Sequence, residues 1–393
     1  MTRIAYICAD LGVPVFGYKG CSIHVQEVIR AFIQNGAEVT LITPRLGGDT
    51  PPGLKSVKVI RLPDKAFVDQ SQREAHAQQL NEQITTALEL AGPFDMIYER
   101  YSLWSYAAME YAKVQGIPRV LEVNAPLIEE QAKHRQLINR DVADQAAHRV
   151  FAAASSLIAV SEGVATYLNT FPETNGRVSV IGNGVNPSRF PYPSKSTSKP
   201  ENHYTIGFVG TLKPWHGLHD LIEAFVNLRH DVNQVRLLIV GDGPERDNLQ
   251  NALQSQDMMH AVEFTGAVAP DQIPHHLAAM DIAVAPYPDS EQFYFSPLKV
   301  LEYMAAGLPV VASRIGQLTS LIQHNHNGIL CTPGQPADLT RTLEHLMADA
   351  CLRRRLGAEA RRTVVQTHSW QTVAERIFSV ADLAQQRQHY DAT

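Results

Sequence analysis

The 393-residue chain carries 34 Lys plus Arg against 40 Asp plus Glu, a formal charge of −6, and is 45% hydrophobic and 19% charged. That length implies two or three domains, and a composition with 24 Gly and 23 Pro spread along the chain excludes a disordered or collagen-like protein. Neither half is basic, with 17 basic and 19 acidic side chains up to residue 186 and 17 and 21 after it; nonspecific nucleic-acid binding, which needs clustered Lys and Arg, is therefore excluded as the main task, while a local basic patch meeting anionic lipid stays open.

In chain order, short β-branched runs alternate with helical patterns, as βα units of a parallel sheet do. The opening MTRIAYICADLG is interrupted at Asp10, too early for a signal-peptide core, and no later apolar run approaches the length that crosses a bilayer. Strands are predicted near 3–8, 38–43, 95–98, 119–123, 156–160 and 178–181, and helices near 22–35, 72–91, 103–115, 126–150 and 161–170. Residues 186–203 hold four Pro, four Ser and almost no aliphatic side chain, so 187–203 reads as a linker.

The rhythm then restarts with YTIGFVG at 204–210, VRLLIVG at 235–241, VEFTG at 262–266, DIAVAPY at 281–287 and PVVAS at 309–313. Residues 335–388 are continuously helical in pattern, and Arg353, Arg354, Arg355, Arg361 and Arg362 along them read as a solvated face or an anionic-membrane contact. Cys8, Cys21, Cys331 and Cys351 form no CxxC pair, which fits a reducing cytosol. The reading is α/β, with doubly wound domains at 1–186 and 204–393 and the last helix packing back on the first. The ligand is expected in the cleft between them, at the carboxyl ends of the strands.

Two nucleotide motifs fail. The nearest approach to GxGxxG is GDGPER at 241–246, with Arg246 in place of the third Gly, and GVPVFGYK at 12–19 has no Ser or Thr after its Lys. What remains is phosphate-binding logic spread over both domains. GYKGCS at 17–22 leads into a helix, so amides near Gly17, Lys19 and Gly20 can face an anion, or Ser22 can simply cap the turn. GFVGTLKPWHG at 207–217 puts Lys213 and His216 just past a strand end, where two cations suit a diphosphate. In SEQFYFSPLKVLEYMAAGLPVVAS at 290–313, Ser296 is the expected N-cap and Pro297 the first helical residue. The amides of Leu298, Lys299 and Val300 then point outward, and Glu302 is placed to accept from a sugar diol. His275-His276 face apart and His324 and His326 lie in a polar turn; with no Asp-x-Asp pattern either, no metal is implied.

Taken together, the glycine loop, LIAVSEGV at 157–164, VIGNGVNPSRF at 180–190, GFVGTLKPWHGLHDLIEAF at 207–225, LLIVGDGPERDNL at 237–249 and the Glu302 segment resemble the retaining glycosyltransferases of family four. The resemblance implies the GT-B fold, two doubly wound Rossmann-like domains facing each other across a cleft. It implies a nucleotide sugar donor (UDP or GDP) held mainly by the second domain, a hydroxyl acceptor at the first, and neither cofactor nor metal. Glu302 would hold the ribose and the amides around Leu298 to Val300 with Lys213 and His216 the diphosphate. The backbone from Gly266 to Val268 would meet the base, with Gly210, Thr211 and Gly241 in the same donor-side loops.

Departures from the family pattern stand at Thr211 (usually Arg), His216 (usually Lys), Tyr294 (usually Glu, with Glu291 three residues earlier) and Asn124 (often His). Asn124, Glu129, Glu130 and Arg100 are the acceptor-side candidates. A sugar-nucleotide epimerase or hydrolase, or a noncatalytic sugar-nucleotide binder, are the alternatives on the same architecture.

Overall fold

The computed structural model describes residues 1–192, 204–232, 234–290, 293, 294 and 296–391. The chain forms two compact units: Met1–Asn183 with Tyr294–Ser296 and Trp370–Thr393, and Gly184–Phe293 with Pro297–Ser369.

Unit 1 is built on seven parallel strands, β1 (Arg3–Ile7), β2 (Glu38–Thr43), β3 (Lys58–Arg61), β4 (Met96–Arg100), β5 (Arg119–Val123), β6 (Ser156–Ala159) and β7 (Val178–Val180), in the order β3-β2-β1-β4-β5-β6-β7. Central strands such as RIAYI are buried and without charge after their first residue because helices cover both faces. On one face Tyr6 and Tyr98, in register on β1 and β4, pack with Phe32 of the helix Gly20–Gln34, and Phe32 meets Phe378 of the helix Trp370–Asp391. On the other face Ile7, Ile97 and Leu121 share a core with Leu80, Ile84, Met109 and Phe151.

Unit 2 holds six parallel strands, β8 (Tyr204–Val209), β9 (Val235–Val240), β10 (Val262–Gly266), β11 (Ile282–Ala285), β12 (Val310–Ser313) and β13 (Ile329–Cys331), in the order β10-β9-β8-β11-β12-β13. One apolar cluster lies on each face of this sheet. The direction of winding reverses at β8, between β9 and β11, so the loops after β8 and β11 diverge and leave a crevice at the carboxyl ends.

Several expectations need correction. The span 126–150 is two helices, Leu127–His134 and Arg140–Ala153, because buried Glu74 accepts from Ile138 N and Asn139 N, each at 3.0 Å, and pins the chain between them. The span 335–388 is three helices, Pro336–Ala348, Ala350–Thr367 and Trp370–Asp391, with Asp349 capping the second through Leu352 N.

The linker is shorter at its start than its composition suggests. Pro187–Arg189 forms a 3-10 turn and Phe190 is buried in the core of unit 2, while residues 193–203 lie outside the described residues. Of the C-terminal arginines, Arg354, Arg355 and Arg362 are exposed, as a solvated face would have them, while half-buried Arg353 and Arg361 tie elements of unit 2 together. Arg353 donates to Leu346 O and Met347 O, Arg354 to Ala350 O, Arg355 to Asn325 O, and Arg361 to Phe190 O, Ala305 O and Pro187 O. Arg362 pairs with Glu359. Among the described residues no helix is long and apolar enough to cross a membrane.

Candidate active site

At the carboxyl end of unit 2 three backbone turns lie side by side. Gly210 N donates to Val240 O at 2.9 Å and Gly241 N to Gly266 O at 3.0 Å. A Cβ on Gly241, whose φ is +134°, would sit 2.1 Å from Gly210 O, so these turns are in contact only because the side chain is missing. Val268 follows Gly266 and packs, half-buried, against the core.

The loop after β8 is anchored by buried Leu212, whose N donates to Asp242 O at 3.0 Å. It presents Thr211 to solvent and lays Lys213 Nζ 5.4 Å from the centre of the Trp215 ring. His216 Nδ1 lies 2.6 Å from Thr211 O. A carbonyl only accepts, which assigns the proton to Nδ1 and leaves Nε2 as the unprotonated nitrogen. Burial, then Lys299, and also Lys213 push the imidazole down to about 3, against the opposing pull of Thr211 O, so the ring is neutral near pH 7.

The helix Leu298–Ala305 faces this loop. Its N-cap is Pro297, with no side-chain cap bond, and Val300 N donates to Pro297 O at 3.1 Å. The expected cap, Ser296, is engaged in unit 1: its Oγ accepts from Asn183 N at 3.0 Å, and Asn183 Nδ2 donates to its carbonyl at 3.1 Å. Of the three amides expected to point outward, Val300 is therefore spent inside the first turn, and Leu298 and Lys299 remain. The helix is fixed to β8 by buried Tyr303, whose hydroxyl accepts from Val209 N at 2.7 Å and donates to Val209 O at 3.3 Å.

Two charged side chains leave this helix. Lys299 lays its Nζ 4.3 Å from the centre of the Phe208 ring and 5.3 Å from that of Tyr287. Burial pushes the amine down to about 7, with Glu302 opposing the shift; the aromatic faces offset only about 0.5–2 kcal/mol of the cost of burying a cation. Glu302, with about a fifth of its side chain exposed, holds Oε1 4.0 Å from Arg189, which also donates to Pro270 O at 2.8 Å.

In unit 1 the helix after the glycine loop starts at Gly20 with exposed Lys19 as its N-cap, so Ser22 is a buried first-turn residue and not the cap. Buried Gln26 braces the loop by donating to Val15 O and to Gly17 O, at 2.8 and 2.9 Å. Beneath it, Arg100 ends β4 in register with Glu122, and Glu122 accepts from His24 Nε2 at 2.9 Å. Burial alone would raise the Glu122 carboxyl, but His24, Arg100 and Tyr98 outweigh it and hold it below its usual range. Arg100 Nε and Asn124 Nδ2 are buried without a hydrogen-bond partner among the described residues. Glu129 is a surface residue in an ion pair with Arg140 at 2.5 Å, and Glu130 accepts from Tyr294 OH at 2.6 Å. Tyr294, expected beside the donor residues, thus makes its contacts in unit 1, where Ser161 Oγ also donates to its carbonyl at 2.6 Å. Glu291 lies outside the described residues.

The sequence model of Glycosyltransferase Family 4 matches residues 18–189, and that of Glycosyl transferases group 1 matches residues 193–363. The chain belongs to the family-four glycosyltransferases. It is 26% identical over 391 residues to an uncharacterized glycosyltransferase of Methanocaldococcus jannaschii, covering 93% of this chain and 94% of that one. It is also 25% identical over 369 residues to the D-inositol 3-phosphate glycosyltransferase of Stackebrandtia nassauensis, covering 87% and 82%. Among solved structures, sucrose-phosphate synthase from Thermosynechococcus elongatus superposes with a TM-score of 0.75 at 19% identity over 100% of both chains, a likeness that shows the GT-B fold.

In this glycosyltransferase the structure gathers Gly210, Thr211, Lys213, His216, Gly241, Gly266, Val268, Leu298, Lys299, Val300 and Glu302 in unit 2, and Gly17, Lys19, Gly20, Arg100, Asn124, Glu129, Tyr294 and Ser296 in unit 1. Two side chains escaped the sequence reading. Arg189 stands in VIGNGVNPSRF, but nothing local signals its approach to Glu302. The side chain of Lys299 has a visible signal, a Lys one residue into a helix that follows Ser-Pro, but sequence does not show that it turns back over Gly210.

Proposed function

We propose that this glycosyltransferase moves a glycosyl group from a nucleoside diphosphate sugar to a hydroxyl acceptor with retention of anomeric configuration and without a metal. The observation that carries the reading is the convergence, at one end of the unit 2 sheet, of three glycine turns, the first amides of the helix Leu298–Ala305, and Glu302 on the same helix. Backbone amides and a helix start suit a diphosphate, and a carboxylate about one turn further along suits the ribose hydroxyls. The Gly266–Val268 backbone meets the base.

As the bond from the anomeric carbon to the β-phosphate oxygen breaks, both electrons stay on that oxygen. The acceptor oxygen attacks from the same face, and its proton passes to the leaving phosphate. No protein nucleophile is needed, so catalysis is mainly electrostatic. Arg100 and Asn124, with buried donor atoms at the carboxyl end of the unit 1 sheet, orient the acceptor. The test is to incubate the enzyme with UDP- and GDP-sugars and a panel of hydroxyl acceptors, and to read product configuration by NMR. A new glycoside with the donor's configuration supports the reading; free sugar or an epimerised donor as the sole product, with every acceptor, refutes transfer.

A further inference from the structure

The cation expected opposite the diphosphate is missing from its usual places. Thr211 supplies no charge, and its carbonyl is taken by His216 Nδ1. His216 is neutral, so it brings no resident charge either. Lys299 fills the gap: its Nζ is buried with no hydrogen-bond partner among the described residues, and lies 3.0 Å from where a Cβ on Gly210 would be. The amine thus covers the bare backbone of Gly210, the turn that the glycine contacts hold beside Gly241.

His216 and Lys299 share two walls. The imidazole centre is 5.8 Å from Phe208 and 5.7 Å from Tyr287, the same rings that flank the amine. Glu302 on its own helix and the Tyr287 phenol face the amine, and the amine in turn acts on His216, which Lys213 of the loop after β8 also reaches. A buried ammonium without a bonded acceptor is unstable until an anion arrives.

Building on the donor reading above, we propose that Lys299, and not His216, is the catalytic cation: its ammonium binds the diphosphate and stabilises the charge that grows on the leaving phosphate oxygen. The amine is not consumed; the electron pair of the broken bond stays on the phosphate, and the acceptor proton follows it there. Because burial keeps the free amine near neutrality, the diphosphate also draws a proton onto Lys299, and binding takes up protons at alkaline pH.

The experiment is calorimetry of UDP and GDP binding to the wild-type enzyme, Lys299→Met and Lys299→Arg, at pH 8 in buffers of different ionisation enthalpy, alongside turnover. Melting curves establish that each variant is folded. The wild type takes up protons on binding; Lys299→Met binds more weakly and loses a hundredfold to a thousandfold in turnover, the scale for one preorganised donor. Lys299→Arg, always charged, recovers binding with no proton uptake, and should Arg be too bulky beside Gly210, the loss of uptake in Lys299→Met carries the test alone. Wild-type binding with Lys299→Met equal to it in affinity, uptake and turnover overturns the proposal and leaves the donor reading standing. A folded wild type that binds no nucleoside diphosphate overturns both.

Discussion

Glu302→Gln tests the ribose site, but the structure warns against reading it from simple affinity. The carboxylate is fixed on a helix only three residues past Lys299, about 5 Å along the axis, so a diphosphate held by Lys299 would lie within roughly 6–8 Å of it. Losing the carboxylate charge weakens each ribose hydrogen bond by about 1–1.5 kcal/mol, or roughly 1.5–3 kcal/mol for the two bonds of a diol. The same change removes a repulsion with the diphosphate of about 0.5–3 kcal/mol for effective dielectric constants between 80 and 20, and it strips the charge that Arg189 faces at 4.0 Å. These effects nearly cancel, so an unchanged dissociation constant for the whole nucleotide would decide nothing. A double-mutant cycle separates them, because a 2′,3′-dideoxynucleoside diphosphate keeps the diphosphate and loses the diol. Wild-type and Glu302→Gln enzymes would each be titrated by calorimetry with the nucleotide and its dideoxy analogue. The expected coupling is about 1.5–3 kcal/mol, with removal of the diol costing the wild type tenfold to a hundredfold more than the variant. Additive losses, with coupling under about 0.5 kcal/mol, would remove Glu302 from the ribose.

Three further outcomes are expected. Tyr303→Phe leaves the buried Val209 N without its 2.7 Å acceptor and costs about 1–3 kcal/mol, visible as a lower melting temperature in calorimetry; an unaltered melt would show that Tyr303 does not tie the helix to β8. Turnover persists in excess EDTA, and complete loss that magnesium or manganese restores would reveal a metal requirement. Buried Glu99, bonded by Ser105 Oγ at 2.5 Å, is pushed up to about 7 by burial, so the folded state holds a proton that the unfolded state releases near pH 4.5. Its contribution is complete below that pH and is lost as pH rises to about 7, a deficit on the order of 3 kcal/mol at pH 8. Glu99→Gln should therefore raise stability to urea at pH 8 and not at pH 4.5, and equal effects at both pH values would contradict the assignment.

The sheets were legible because parallel strands covered on both faces read as continuous apolar runs, and the runs at 38–43, 119–123 and 262–266 coincide with β2, β5 and β10. The two strands that escaped have the weakest local signal. β3, Lys58–Arg61, is an edge strand with exposed ends, and β13, Ile329–Cys331, is three residues long. The break inside 126–150 depends on Glu74, more than fifty residues earlier, which no window of helical periodicity contains. Ser296-Pro297 is a sound start signal for the same reason that it misleads: the hydroxyl that would cap the helix finds Asn183 N instead, 113 residues away.

At the site, residue types were readable and protonation was not. Lys213 and His216 look like two cations in sequence, since both side chains are basic and sit three residues apart on one loop. In three dimensions a third basic group, Lys299, reaches the same turn from another element, and the buried aromatic walls cannot solvate them all. Burial acts on both groups, and Lys299 and Lys213 repel the imidazole besides, so the imidazole gives up its proton first and the buried amine, with Glu302 opposing its shift, is left near balance. The charge absent at Thr211 is thus offset from the opposite side of the crevice, from a helix rather than the loop. Because Lys299 Nζ has no hydrogen-bond partner among the described residues, its share of the positive charge, beside that of Lys213, would be set by the bound anion, which is the property that replacing it with a permanently charged arginine would remove.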